Sequence, residues 1–157
     1  MPAFRKGGDC GSMKIMVSAC LLGQRCKYNG GDNFNQAVAA LGKEHEVIPV
    51  CPEVAGGLPV PRIPCEIVGG EVINSVGESK DSQFRDGAEK CLAIAKQNQI
   101  DLAILQSRSP SCGVRQIYDG TFSGRLIEGS GVFASLLMEK GFMVIDAEDF
   151  IKTGDGL

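Results

Sequence analysis

The sequence predicts a single α/β domain with a mainly parallel sheet, and three observations carry the prediction. Its 157 residues, 43% of them hydrophobic, hold enough apolar material for one sizeable core. Short apolar runs without helical period alternate along the chain with segments of helical spacing, the order that builds parallel crossover units. Two of those runs end at a cysteine that opens a loop, as happens where buried strands deliver side chains to one edge of an open sheet.

Residues 14–19 (KIMVSA) form the first apolar run and end at Cys20-Leu21-Leu22-Gly23. Residues 33–41 (NFNQAVAAL) have an Asn to cap a helix, apolar residues at its spacing, and Gly42 to stop it. Residues 46–50 (EVIPV) are the second strand, running straight into Cys51-Pro52-Glu53. With two glycines and two prolines, residues 54–62 (VAGGLPVPR) predict an ordered loop. Residues 65–74 (CEIVGGEVIN) are two alternating runs about Gly69-Gly70, a hairpin signal. A long helix follows over 79–99, its apolar stripe made by Phe84, Ala88, Cys91, Leu92, Ile94 and Ala95. Residues 101–106 (DLAILQ) are a third core strand continuing into the loop 107–113 (SRSPSCG). Residues 117–123 make a loop or hairpin around Asp119-Gly120, residues 131–140 a last helix broken by Gly141, and residues 142–145 (FMVI) the final strand. About four or five strands with helices on both faces make a Rossmann-like three-layer sandwich. Residues 13–150 form this one domain, residues 151–157 a tail, and residues 1–12, rich in Gly and charge, a leader or disordered start whose Cys10 is set aside.

With Lys+Arg 16 against Asp+Glu 19, the chain has no basic field for a phosphate backbone, so a nucleic acid polymer is not an expected partner. No stretch approaches the roughly 20 apolar residues of a bilayer span, and the start lacks a secretory apolar centre. The expected location is therefore cytoplasmic, and the sequence leaves a homodimer open. Seven cysteines in a reducing compartment are metal ligands, catalytic thiols or buried small hydrophobes. The single histidine, His45, lies in a charged stretch and leaves no room for a His-rich metal site.

Cys20 and Cys51 each follow a predicted strand, and Cys112 sits on the loop leaving a third, so topology turns distant positions into neighbours at one sheet edge. Cys26, Cys65 and Cys91 have no such placement. Converging thiolates suit an iron-sulfur cluster, zinc or copper(I). The plain alternative is that all three are buried small residues, and no CxxC pair argues against it. Glu53, two residues from Cys51, is a candidate general acid or base, against the commoner fate of a solvated glutamate. Arg62 is a candidate for holding an anionic or carbonyl substrate group, or else a surface ion pair. Ser109 and Ser111 flank Pro110 beside Cys112, as substrate-orienting hydroxyls or as caps of the next turn. Asp119-Gly120 is turn chemistry.

The ordered set SACLLG, CPEVAGGLPVPR, SPSCG and YDGTFSG resembles the family long catalogued as domain of unknown function 523, whose characterised members are thiouracil desulfurases. The resemblance spans about Met13 to Asp149. It implies a 4Fe-4S cluster held by three cysteines, which fall on Cys20, Cys51 and Cys112, with one iron open to the sulfur of a thiolated pyrimidine. It also implies Glu53 as the acid/base that activates water and Ser109 as the serine that positions or protonates the small thio-nucleobase. Arg62 and Ser111 remain substrate-binding candidates. Two further readings stand beside it. One is a non-catalytic cluster or zinc protein, a carrier or sensor with the same ligands. The other is a cysteine phosphatase built on Cys20-Leu-Leu-Gly-Gln-Arg25, a loop too short and bulky for a phosphate cradle.

Overall fold

The computed structural model describes residues 12–153; Cys10, with the rest of the expected leader before Ser12, lies outside that range, as do residues 154–157. The first half runs β1 (Lys14–Ser18), α1 (Gln36–Ala39), β2 (Glu46–Val50), α2 (Pro52–Ala55), β3 (Cys65–Val68), β4 (Glu71–Asn74) and α3 (Asp81–Asn98). The second half runs β5 (Leu102–Leu105), β6 (Gln116–Tyr118), β7 (Leu126–Glu128), α4 (Val132–Glu139), β8 (Val144–Asp146) and α5 (Ala147–Thr153).

Strands pair in the order β2-β1-β5-β8, all parallel, while β3-β4 and β6-β7 are separate antiparallel hairpins. Side chains alternate across this sheet, as the pleat requires. Met16, Ala103 and Leu105 pack on one face with Phe84, Ala88 and Leu92 of α3 and Phe133 and Leu137 of α4. Ile15, Val17, Leu102 and Ile104 meet Val38 of α1 and Phe150 of α5 on the other. The result is the expected three-layer α/β sandwich. Among the described residues no helix is long and apolar enough to cross a membrane.

Several boundaries differ from the expectation for local reasons. Asn35, not Asn33, caps α1 by accepting from Val38 N at 3.1 Å, an interaction generally worth about 1 kcal/mol. A short helix, α2, opens the expected loop: Cys51 is its extended N-cap residue, Pro52 supplies a preset first helical position, and Gly56 ends it. Gly141, at φ +88°, takes the left-handed conformation after α4, and Phe142 N bonds back to Leu137 O. That closure occupies the start of the expected last strand, so β8 begins only at Val144, and α5 follows it directly.

Candidate active site

Strand register brings the predicted thiols to one level. Ser18 lies opposite Val50, so the chain leaves β1 and β2 side by side. Cys20 then falls in a 3-10 turn over Ala19–Leu22, closed by Gly23 at φ +93°, and Cys51 caps α2. Cys112 lies in the loop after β5, which is tied down by the first turn of α4. Val132 N donates to Pro110 O at 2.9 Å, and Phe133 N and Ala134 N donate to Ser111 O at 2.9 and 3.0 Å. These are amides that a helix start leaves without partners of its own. Cys20, Cys51, Cys112, Glu53, Arg62, Ser109 and Ser111 all line one cleft of about 640 Å³.

Glu53 is fixed on both carboxylate oxygens. Its Oε1 accepts from Arg62 Nε at 2.9 Å and pairs with the Nη2 end of the guanidinium at 2.8 Å, while Oε2 accepts from Ser111 Oγ at 2.9 Å. Two further Arg62 donations also go to protein. Nη1 donates to Pro59 O at 3.0 Å and Nη2 to Cys26 O at 2.9 Å. Its side chain is only 7% exposed, which places it as a clamp on Glu53. Ser111, in the same cleft lining, is 2% exposed and faces Glu53 and Ser109. Ser109 Oγ accepts from Ser111 N at 3.1 Å and Cys112 N at 3.0 Å, so it shapes the loop while lining the cleft.

Two cysteines not expected at the sheet edge are there. Cys26 and Cys65 line the same cleft, whereas Cys91 is buried in the core beneath α3. Cys26 arrives on the irregular segment after the 3-10 turn and Cys65 on β3, neither of which a strand-end rule reaches. The Cys26 thiol, beside Cys20 and Cys51, holds their pKa values down while its own is pushed up. Cys51 falls to about 7, the Cys26 contact outweighing burial. Burial pushes Cys112 up, and likewise Cys65 to about 11 and Cys91 to about 12.

The donor set fits an iron-sulfur cluster. Cluster sulfurs are stabilised by hydrogen-bond donors, and two of the thiols have one. Asn33 Nδ2 donates to Cys20 Sγ at 3.4 Å, and the Val54 amide faces Cys51. Among the described residues no three Cys, His, Asp or Glu side chains converge on one ion-sized position. A phosphate cradle is not built here: the turn amides of Gly23 and Gln24 bond inward to Cys20 O and Ala19 O, and Arg25 is exposed away from the cleft.

At the carboxyl edge of a parallel α/β sheet, three thiols share one cleft with a clamped carboxylate and two serines, residue types that suit metal ligation and acid/base chemistry. The chain belongs to the 2-thiouracil desulfurase family, whose model matches residues 15–149. It is 40% identical over 145 residues to the uncharacterized protein YbbK of Bacillus subtilis (strain 168), covering 86% of this chain and 96% of YbbK. It also resembles the solved structure of the 4Fe-4S-dependent thiouracil desulfidase TudS, at TM-score 0.85 and 39% identity, over 90% of this chain and 95% of that one.

Proposed function

We propose that this protein is a 4Fe-4S-dependent desulfurase that replaces the sulfur of a thiolated pyrimidine such as thiouracil with oxygen from water. The observation that carries the reading is Glu53, clamped between Arg62 and Ser111 in the cleft that the three thiols share. Cys20, Cys51 and Cys112 are the proposed ligands. When bound, the cluster supplies a Lewis-acidic iron that holds the substrate's sulfur without redox change.

The remaining work falls to this chain's side chains. Arg62 fills Glu53 Oε1, leaving Oε2 with room to take a proton from a water attacking the thiocarbonyl carbon. Ser109, half-buried at the cleft wall, faces the substrate as a proton donor. Tyr28, Tyr118 and Phe122 line the cleft and offer aromatic faces to a planar base. The cysteines of the described residues are all free, which supports a reducing, cytoplasmic location.

General-base catalysis typically contributes 10²–10⁴-fold, so Glu53→Gln is expected to lower kcat on 2-thiouracil by about that factor. The cluster's visible absorption should stay intact, because Glu53 is not a proposed ligand. Turnover by Glu53→Gln at the wild-type rate would instead favour a cluster carrier or sensor.

A further inference from the structure

Ser111 raises a question that neither catalysis by Glu53 nor substrate contact by Ser109 answers. It is a hydroxyl with 2% exposure, placed between the two groups that handle protons. Its Oγ lies 2.9 Å from Glu53 Oε2 and 3.0 Å from Ser109 Oγ. Each serine hydroxyl has one proton to give and two lone pairs to fill. Both lone pairs of Ser109 are taken by the amides of Ser111 and Cys112, so toward Ser111 it is the donor. Ser111 therefore accepts from Ser109 and donates to Glu53. Its other acceptor, Cys112 Sγ at 3.7 Å, is farther than the carboxylate. Hydrogen-bond counting thus gives the chain one resting direction: Ser109 to Ser111 to Glu53.

We infer that Ser111 is a proton relay joining the general base to the general acid, so that the proton Glu53 takes from water is the one Ser109 delivers. This rests on the desulfurase reading above and adds a residue role to it. Overall, a thiocarbonyl and water become a carbonyl and hydrogen sulfide, with no change of oxidation state. The water oxygen's electron pair forms the C–O bond as Glu53 Oε2 takes the first proton. Ser109 gives its proton to the leaving sulfur, and the C–S bond breaks with its electron pair on sulfur. Ser109 Oγ then carries the charge, facing the amides of Ser111 and Cys112 together with the Ser111 hydroxyl turned toward it. Three donors on one oxygen form an arrangement that stabilises an oxyanion. Ser111 passes its proton to Ser109 and recovers one from Glu53, restoring the resting chain. The second water proton leaves the new carbonyl oxygen through Glu53 by the same route, completing hydrogen sulfide.

The test uses Ser111→Ala, a change that removes the hydroxyl and adds no bulk. Its first arm needs no activity. In ¹³C-glutamate-labelled, metal-free protein, the wild-type minus Glu53→Gln infrared difference isolates the Glu53 carboxylate stretch. That stretch is expected to shift in Ser111→Ala; an unchanged band would show that Ser111 does not donate to Glu53 and would overturn the relay whatever the substrate proves to be. In the second arm, cluster-loaded Ser111→Ala should keep the wild-type visible absorption and a KM within about two-fold. Its kcat on 2-thiouracil should fall about 100-fold, the lower end for loss of proton-transfer catalysis. A proton inventory in mixed H2O and D2O should be curved for the wild type, with several protons moving together, and straight for the variant. Wild-type kcat and a curved inventory in Ser111→Ala would overturn the relay. Failure of the loaded wild type to release sulfide, with the infrared shift present, would instead sink the desulfurase reading and leave the hydrogen-bonded chain standing.

Discussion

Replacing Cys20, Cys51 or Cys112 singly by Ala is expected to abolish both the broad visible absorption of protein reconstituted anaerobically with iron and sulfide and its release of sulfide from 2-thiouracil. Each thiol enters the cleft from a different connection, so the loss of one cannot be made good by a neighbouring residue on the same turn. Cys91→Ala should leave the absorption unchanged, because Cys91 sits in the core beneath α3. Cys26→Ala is the sharper control. Its thiol contacts Cys20 and Cys51 as an outer partner, and loss of outer partners typically costs 10–100-fold in metal affinity or activity. A weakened but present band is therefore expected for Cys26→Ala, read by iron and sulfide analysis alongside the spectrum. Absence of the band in Cys26→Ala, with its retention in Cys112→Ala, would replace the assignment by a set of Cys20, Cys26 and Cys51.

The sequence leaves Cys26 open between a thiol near the site and a plain loop cysteine, and the reason is physical. Cys20, Cys51 and Cys112 are legible because strands have a defined end, and a parallel sheet puts those ends on one edge. Cys26 and Cys65 reach the cleft on a loop and a side hairpin, whose paths depend on tertiary contacts that no period announces. The same limit explains Arg62 and Ser111. Their residue types suit substrate binding, but which acceptor a donor meets is decided by where the chain folds back. Here the segment around Arg62 folds over Glu53, and the SPSCG loop presses Ser111 against it. Strands β1 and β2 were legible almost to the residue because each is a short apolar run that begins at a charged residue and gives way to a cysteine-bearing turn, although β2, at the sheet edge, buries only Val50. Helix α2 was hidden because its four residues are too few to show a period, and its Pro52 and Gly56 resemble loop punctuation.

The residue most expected to reverse an ordinary sign is Gly87. In a helix interior, Gly→Ala normally stabilises by about 1 kcal/mol. Gly87 lies on the buried face of α3, where a Cβ would stand 1.8 Å from Pro52 O; the partner glycine, Gly56, would place its own Cβ 1.9 Å from Gln83 O. Both obstacles are backbone oxygens, so no side-chain rotation relieves them, and α2 must move away from α3. Overpacking typically costs 1–3 kcal/mol, and with a backbone obstacle the net effect expected for Gly87→Ala is destabilisation by roughly 2 kcal/mol or more. Urea unfolding measures it, with Gly42→Ala as control: the nearest atom to its Cβ is Val47 Cγ2 at 4.0 Å, and its unfolding free energy should stay within about 0.5 kcal/mol of wild type. Activity should fall too, because α2 carries Glu53 and its N-cap is Cys51. A shift of about 1 Å in a catalytic group can cost about 100-fold in rate, so kcat should drop even at temperatures where the variant is fully folded. A Gly87→Ala protein as stable and as active as the wild type would mean that α2 is not held at this distance, and that the two glycines do not set the position of the Glu53 carboxylate.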